Sequence, residues 1–178
     1  MTELLSREEF RTALEQAMQG RQAKDASFSR AWAEGKLQRH HFARWAENHY
    51  HYVGPFADYL ALIYARTPDD CTDAKDFLLQ NMYEEEIADV RHTDLLIRFA
   101  EACGSSAERV MDPRNMTPMT RGLQSWCYAI AYREHFAVAT AALVVGLESQ
   151  VPSIYRKQYP VLVDPDVYGF TEEEAEFF

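Results

Sequence analysis

Glu85, Asp89 and His92 interrupt what is otherwise an apolar seam. Leu78, Met82, Glu85, Asp89, His92, Leu96, Phe99 and Cys103 are spaced alternately by four and three residues, which is one face of an α-helix. Burying two carboxylates and an imidazole without partners is costly, and a bound cation or a close polar partner removes the cost. This donor set suits iron or manganese, whereas structural zinc usually recruits cysteine. On an unbroken helix Glu85 and His92 lie two turns apart, roughly 10 Å along the axis. They share an ion only if their side chains lean together or the helix is distorted; otherwise Asp89, midway between them, takes one of the places. The competing reading is a solvated acidic face of Glu84, Glu85, Glu86, Asp89 and Asp94, with His92 paired to Asp89.

A second carboxylate stands out. Glu148 follows the uncharged run FAVATAALVVGL, apolar on nearly all sides and so expected to be buried. On the line Val144, Glu148, Val151, Tyr155, it sits either at an exposed helix end or buried with a partner. Facing a carboxylate-histidine helix, it is the natural opposing ligand, because bundles build di-iron sites from inward carboxylates and histidines.

His49 breaks a further stripe of Phe42, Trp45, Val53, Phe56, Leu60 and Ile63. Its plainer reading is a hydrogen-bonded core histidine. The sharper one places His49, with Tyr50 and Tyr52, in a substrate pocket. His51 adjoins them. His135 reads as a surface or cap residue, and His40 and His41 as exposed. No GxSxG, Walker A or GxGxxG motif is present, and no cysteine has an electropositive setting suited to a thiol nucleophile.

The elements that must position these groups are all helical. Ser6 and Glu9 form a capping box opening a helix to about Met18, with Phe10, Leu14 and Met18 on one face. A short helix near residues 27–34 ends at Gly35, a natural C′ residue. A long helix is predicted over 37–66, kinked at Gly54-Pro55, and another runs unbroken over 73–103. Ser105 and Glu108 cap a short helix. Thr117-Pro118 opens a helical pattern reaching about Tyr159, with breaks near Arg133 and Pro152. Thr171 and Glu174 announce one more helix, which reaches only Phe178 and has no C-cap. The expectation is a single all-α domain over 1–178, a helical bundle whose last core helix is incomplete.

Composition narrows the function. The chain has 178 residues, 47% of them hydrophobic, and a formal net charge of -10. An acidic surface repels phosphate backbones, so nucleic acid is not the expected partner. The N-terminus lacks the pattern of a signal peptide. The longest apolar run, 136–147, falls short of the roughly 20 residues a bilayer span needs, so no membrane partner is expected. Three cysteines, Cys71, Cys103 and Cys127, form no CxxC pair and read as reduced core thiols in a cytoplasmic protein.

The segments EGKLQRHHFARWAENHYHYVGPFADYLALIYAR, LLQNMYEEEIADVRHTDLLIRFAEACG and AALVVGLESQVPSIY resemble the heme-oxygenase-like superfamily of thiaminase II, pyrroloquinoline-quinone synthase and the non-haem di-iron oxidases. Within it, the likeness leans to the branch of the chlamydial death-domain-associating protein and p-aminobenzoate-forming enzymes. The resemblance implies metal binding by a Glu and a His seven residues apart on one helix, here Glu85 and His92, and by a Glu in an ESQ(V/I)P segment, here Glu148. It also implies a further His and an Asp-x-x-His group beyond Phe178, and a homodimer. Two departures narrow it. LVVGLE lacks the cysteine of thiaminase II, and Ser29 stands in FSRAW where the p-aminobenzoate-forming branch carries a Tyr. The expected function is an O2-dependent non-haem iron oxidase or oxygenase, with Fe(II)/Fe(III), two ions in the complete protein, acting on a small amine- or carboxylate-bearing metabolite. The rivals are a cofactorless oxidase relying on His49, Tyr50 and His51, and a non-enzymatic helical binding module.

Overall fold

The computed structural model describes residues 4–87 and 89–178; the start of the N-terminal segment read above lies outside them. Among the described residues the chain is helical and has no strand. The helices are α1 (Arg7–Met18), α2 (Ser27–Ala33), α3 (Arg39–Val53), α4 (Phe56–Tyr64), α5 (Thr72–Glu86), α6 (His92–Ala102), α7 (Ala107–Met111), α8 (Pro118–Arg133) and α9 (Phe136–Val163). Short 3-10 turns sit at Ala23–Asp25 and Pro113–Asn115.

The predicted caps at Ser6, Gly35 and Thr117 are present, whereas α7 is capped by Ser106, whose hydroxyl accepts from Arg109 N at 3.3 Å, and not by Ser105. The backbone N–H of Ser6 donates to Glu9 at 2.8 Å, and that of Glu9 to the Ser6 hydroxyl at 3.3 Å. Gly35 closes α2 at φ +69° with the paired bonds of a Schellman motif, Lys36 N to Ala31 O at 2.9 Å and Gly35 N to Trp32 O at 3.0 Å. The chain bends between α3 and α4 at Gly54-Pro55. A Cβ at Gly54 would sit 2.7 Å from the Tyr50 carbonyl oxygen, so the turn demands glycine.

Two buried clusters form the core. Trp32, Phe42, Leu96, Phe99 and Leu162 centre one between α2, α3, α6 and the end of α9. Phe56, Tyr59, Leu60, Leu78 and Leu143 centre the other between α4, α5, α8 and the start of α9. Packing of α3 on α6, and of α4 on α5 and α8, joins the layers. Glu47, 2% exposed, fastens α3 to the α6–α7 turn. It accepts from the Ser105 hydroxyl at 2.8 Å, from Arg109 Nε at 3.0 Å and from Arg44 Nη1 at 3.1 Å.

Several expectations are corrected. The helix predicted over 73–103 is two helices, parted between Glu86 and His92. Had it continued, Glu85 and Glu86 would stack on Asp89 at i+4 and i+3, where like charges repel. The predicted face of α1 does not enter the core: α1 has no buried residue, and Phe10 is 53% exposed. Pro152 does not break the last long helix, because it falls in the first turn after a 3-10 segment at Glu148–Gln150. As a result α9 is one helix of 28 residues, long and apolar enough by composition to cross a bilayer, so the shortness of the 136–147 run excludes nothing. Cys103 and Cys127 are buried as expected, while Cys71 is only half-buried. Residues 171–178 keep the Thr171–Glu174 capping box but fold as turns rather than a regular helix. There Phe178 is packed among Trp32, Trp45, Phe99 and Tyr155.

Candidate metal centre

The break between α5 and α6 brings together what an unbroken helix would hold apart. Glu85 lies in the last turn of α5, and His92 is the first residue of α6. Across the turn, His92 Nδ1 lies 3.0 Å from Glu85 Oε2. Asp89 is exposed on the connection and does not take a place between them. His92 thus pairs with Glu85, not with Asp89.

Glu148 arrives from the opposite side, on α9. A π-helical turn at Ala141–Val145 and the 3-10 turn at Glu148–Gln150 distort α9 there. π-turns shift the register of the residues that follow and recur at functional sites. Tyr52, from α3, donates its phenol to Glu148 Oε1 at 2.7 Å. Burial pushes the Glu148 carboxyl up, and the charge of Glu85 adds to the rise; the Tyr52 hydrogen bond and the His92 imidazole oppose it without cancelling it. Burial works against a charged His92, but its hydrogen bond to Glu85, the Glu85 charge, the Phe177 carbonyl and Glu148 outweigh it and hold the imidazole above its ordinary range.

His92, Glu148 and Tyr52 line a cavity of about 270 Å³. His49 and Tyr52 line it; Tyr50 is not among its lining residues and packs against the first core cluster. His49 is stacked on Trp45, ring centres 4.4 Å apart, and makes no hydrogen bond to the described residues. Burial, reinforced by His92, pushes His49 down to about 3, so it is a neutral imidazole facing the cavity. His51 is instead a structural residue, its Nε2 3.2 Å from the Asp112 carbonyl oxygen. His41 caps α3 and His135 caps α9 through their Nδ1 atoms. Phe177 stacks on His92, ring centres 4.5 Å apart.

The donor chemistry fits a hard or borderline cation. Two ligand atoms bound cis at about 2.1 Å from one octahedral ion lie roughly 3.0 Å apart, and the Glu85–His92 pair has that separation. Glu148 contributes a second partly buried carboxylate, fixed through one oxygen. Among the described residues, however, no three such side chains converge closely enough to hold an ion by themselves. The arrangement is two ligand atoms together and a third poised.

The iron-containing redox enzyme family matches residues 43–178, a span holding Glu85, His92, Glu148 and Tyr52. The chain belongs to that family. It is an oxidoreductase with a heme-oxygenase-like helical fold. Among curated proteins it is similar to the 4-aminobenzoate synthase of Chlamydia muridarum, at 26% identity over 168 residues, 93% of this chain and 67% of that protein. The 4-aminobenzoate synthase of Chlamydia trachomatis is 27% identical over 93% of this chain and 69% of its own length. That of Nitrosomonas europaea is 29% identical over 90% of this chain and 70% of its own.

Sequence reasoning found the two ends of the site and missed what ties them. Tyr52 was placed in the pocket but not on Glu148; the Trp45, His49, Tyr52 spacing of four and three already put it on the site-facing line. Phe177, Trp32 and Gln158, which also line the cavity, come from α2 and the C-terminal region and carried no local signal.

Proposed function

We propose that Glu85, His92 and Glu148 hold iron in an O2-dependent non-haem di-iron oxidase or oxygenase that acts on a small metabolite bound in the adjoining cavity. The observation that carries this reading is the 3.0 Å approach of His92 to Glu85 across the helix break, with the partly buried Glu148 close enough to feel both charges. Iron, when bound, supplies the electrons with which O2 is activated. The protein's own part is positional. Tyr52 fixes one oxygen of Glu148 and leaves the other free to bind. Phe177 and Trp45 stack on the imidazoles of His92 and His49 and hold their ring orientations. His49, neutral and lining the cavity, is placed to hydrogen-bond a substrate rather than to carry charge.

Under this reading the remaining ligands, the His and Asp-x-x-His group that the resemblance implies, come from outside residues 1–178. The 4-aminobenzoate synthases favour a biosynthetic role. With Ser29 in place of the Tyr of that branch, this enzyme takes its substrate from solution. We further hold that it works in the cytoplasm as a homodimer, with no nucleic acid or membrane partner.

Anaerobic loading with Fe(II), followed by rapid mixing with O2, tests the proposal. Stoichiometric iron and an absorbing species that forms and decays with O2 are expected. A protein that takes up no Fe(II), or whose bound Fe(II) ignores O2, would sink it.

A further inference from the structure

The cavity beside Glu148 opens outward. Ser29, Ile154 and Gln158 line both it and a second recess of about 150 Å³. The inner wall is aromatic and aliphatic, from Trp32, Val53, Leu147 and Ile154 among others. The outer recess has a different character. Lys24, Arg30 and Lys157 line it, and its single carboxylate, Glu34, is already paired with Lys36 at 2.6 Å. Among the described residues neither Lys24 nor Lys157 has a salt-bridge partner. On a chain with a formal charge of -10, this is a local reversal of sign at the mouth of an apolar passage.

Two polar side chains along the passage have no hydrogen-bond partner among the described residues. Gln158 is 3% exposed, and its side-chain amide makes no hydrogen bond to the described residues. Trp32, 1% exposed, has an indole Nε1 with no acceptor. Buried donors are almost always satisfied, so the bare Trp32 indole on the cavity wall, with the Gln158 amide left free beside it, marks the passage as space for a ligand. The short Ser29 side chain stands at the junction of the two spaces, on α2 and next to the 3-10 turn that carries Lys24. That turn is anchored to the cavity wall by Ala23 N donating to Gln150 Oε1 at 2.8 Å.

We infer that the passage binds an organic acid with an apolar body, its carboxylate in the outer recess between Lys24, Arg30 and Lys157 and its body pointing inward to Glu148 and His92. The Gln158 amide, which lines both spaces, donates to the carboxylate. A carboxylate exchanges water for charge-assisted hydrogen bonds there, whereas an amine meets three cations. The apolar body displaces water from the aromatic wall. This orientation presents the end of the molecule far from its carboxylate to the metal ligands. It rests on the oxidase reading only for what happens at that inner end.

Binding is measured on metal-free protein through the fluorescence of Trp32 and Trp45, with octanoate, octan-1-ol and octylamine as probes. Octanoate is expected to bind at least about tenfold more tightly than octylamine, a ratio of the size expected for one charge-assisted contact. The double variant Lys24→Ala/Lys157→Ala should weaken octanoate by a similar factor and leave octan-1-ol unchanged. Ser29→Trp should weaken both by blocking the junction, and far-ultraviolet circular dichroism confirms that each variant is folded. Equal binding of octanoate and octylamine, no octanoate binding, or indifference of octanoate to the double variant overturns the inference. Fe(II) affinity, measured in parallel, separates the two readings. Iron bound without octanoate leaves the oxidase standing and removes the acid; octanoate bound without iron does the reverse.

Discussion

His92 and Glu85 are seven residues apart in sequence and 3.0 Å apart in space. A continuous helix cannot do this, because two turns place such residues roughly 10 Å apart along its axis. The break before His92 is therefore the device that makes the pair. Replacing either member with alanine should lower Fe(II) affinity by more than the roughly 10–100-fold typical of losing an outer-shell partner. Anaerobic titration with a competing chelator checks this, and unchanged affinity in both variants would remove the pair from the metal site.

Tyr52 acts one step further out. Tyr52→Phe removes the 2.7 Å donor to Glu148 and keeps the ring. Fe(II) affinity should fall by about 10–100-fold, the usual effect of losing a hydrogen bond that orients a ligand. Thermal stability should change little. A variant that binds iron as tightly as the parent would show that Glu148 needs no fixing.

Glu47 contributes stability rather than chemistry. Burial alone would raise its carboxyl, but the hydrogen bonds from Ser105, Arg109 and Arg44 prevail and leave it lowered. A carboxyl lowered by folding stabilises the protein above its unfolded pKa of about 4.3, and that contribution is lost as pH falls through the folded value. Glu47→Gln should cost about 1–3 kcal/mol at neutral pH. The gap between variant and parent in urea denaturation should narrow below about pH 4. A gap that is the same at pH 7 and pH 3.5 would argue against an ionised Glu47.

Gly35 tests the join between α2 and the C-terminal region. Its φ of +69° is strained for any L side chain, and an added Cβ would meet Val167 Cγ1 at 2.7 Å. Gly35→Ala should destabilise by about 1–3 kcal/mol, the usual cost of a non-glycine residue held in that region. A shift in the denaturation midpoint without a change in slope is the expected signature.

Much of this protein is local and therefore legible in its sequence. The caps at Ser6, Gly35, Thr117 and Thr171 need only neighbouring residues, and all four form. The helical class follows from periodicity. The chemical types of the site, Glu85, His92 and Glu148, stand out because polar groups break apolar stripes. Their arrangement does not follow from periodicity. A regular helix over 73–103 would hold Glu85 and His92 two turns apart, and the like charges of Glu85, Glu86 and Asp89 oppose such a helix. The π-turn ahead of Glu148, the Tyr52 phenol that holds it and the Phe177 ring over His92 depend on contacts between distant segments. The sequence specified which groups are present, through spacing and polarity alone. Only tertiary packing decided which of them touch, because two core clusters meeting side by side bring α3, α6 and α9 to one point, and no local rule encodes that meeting.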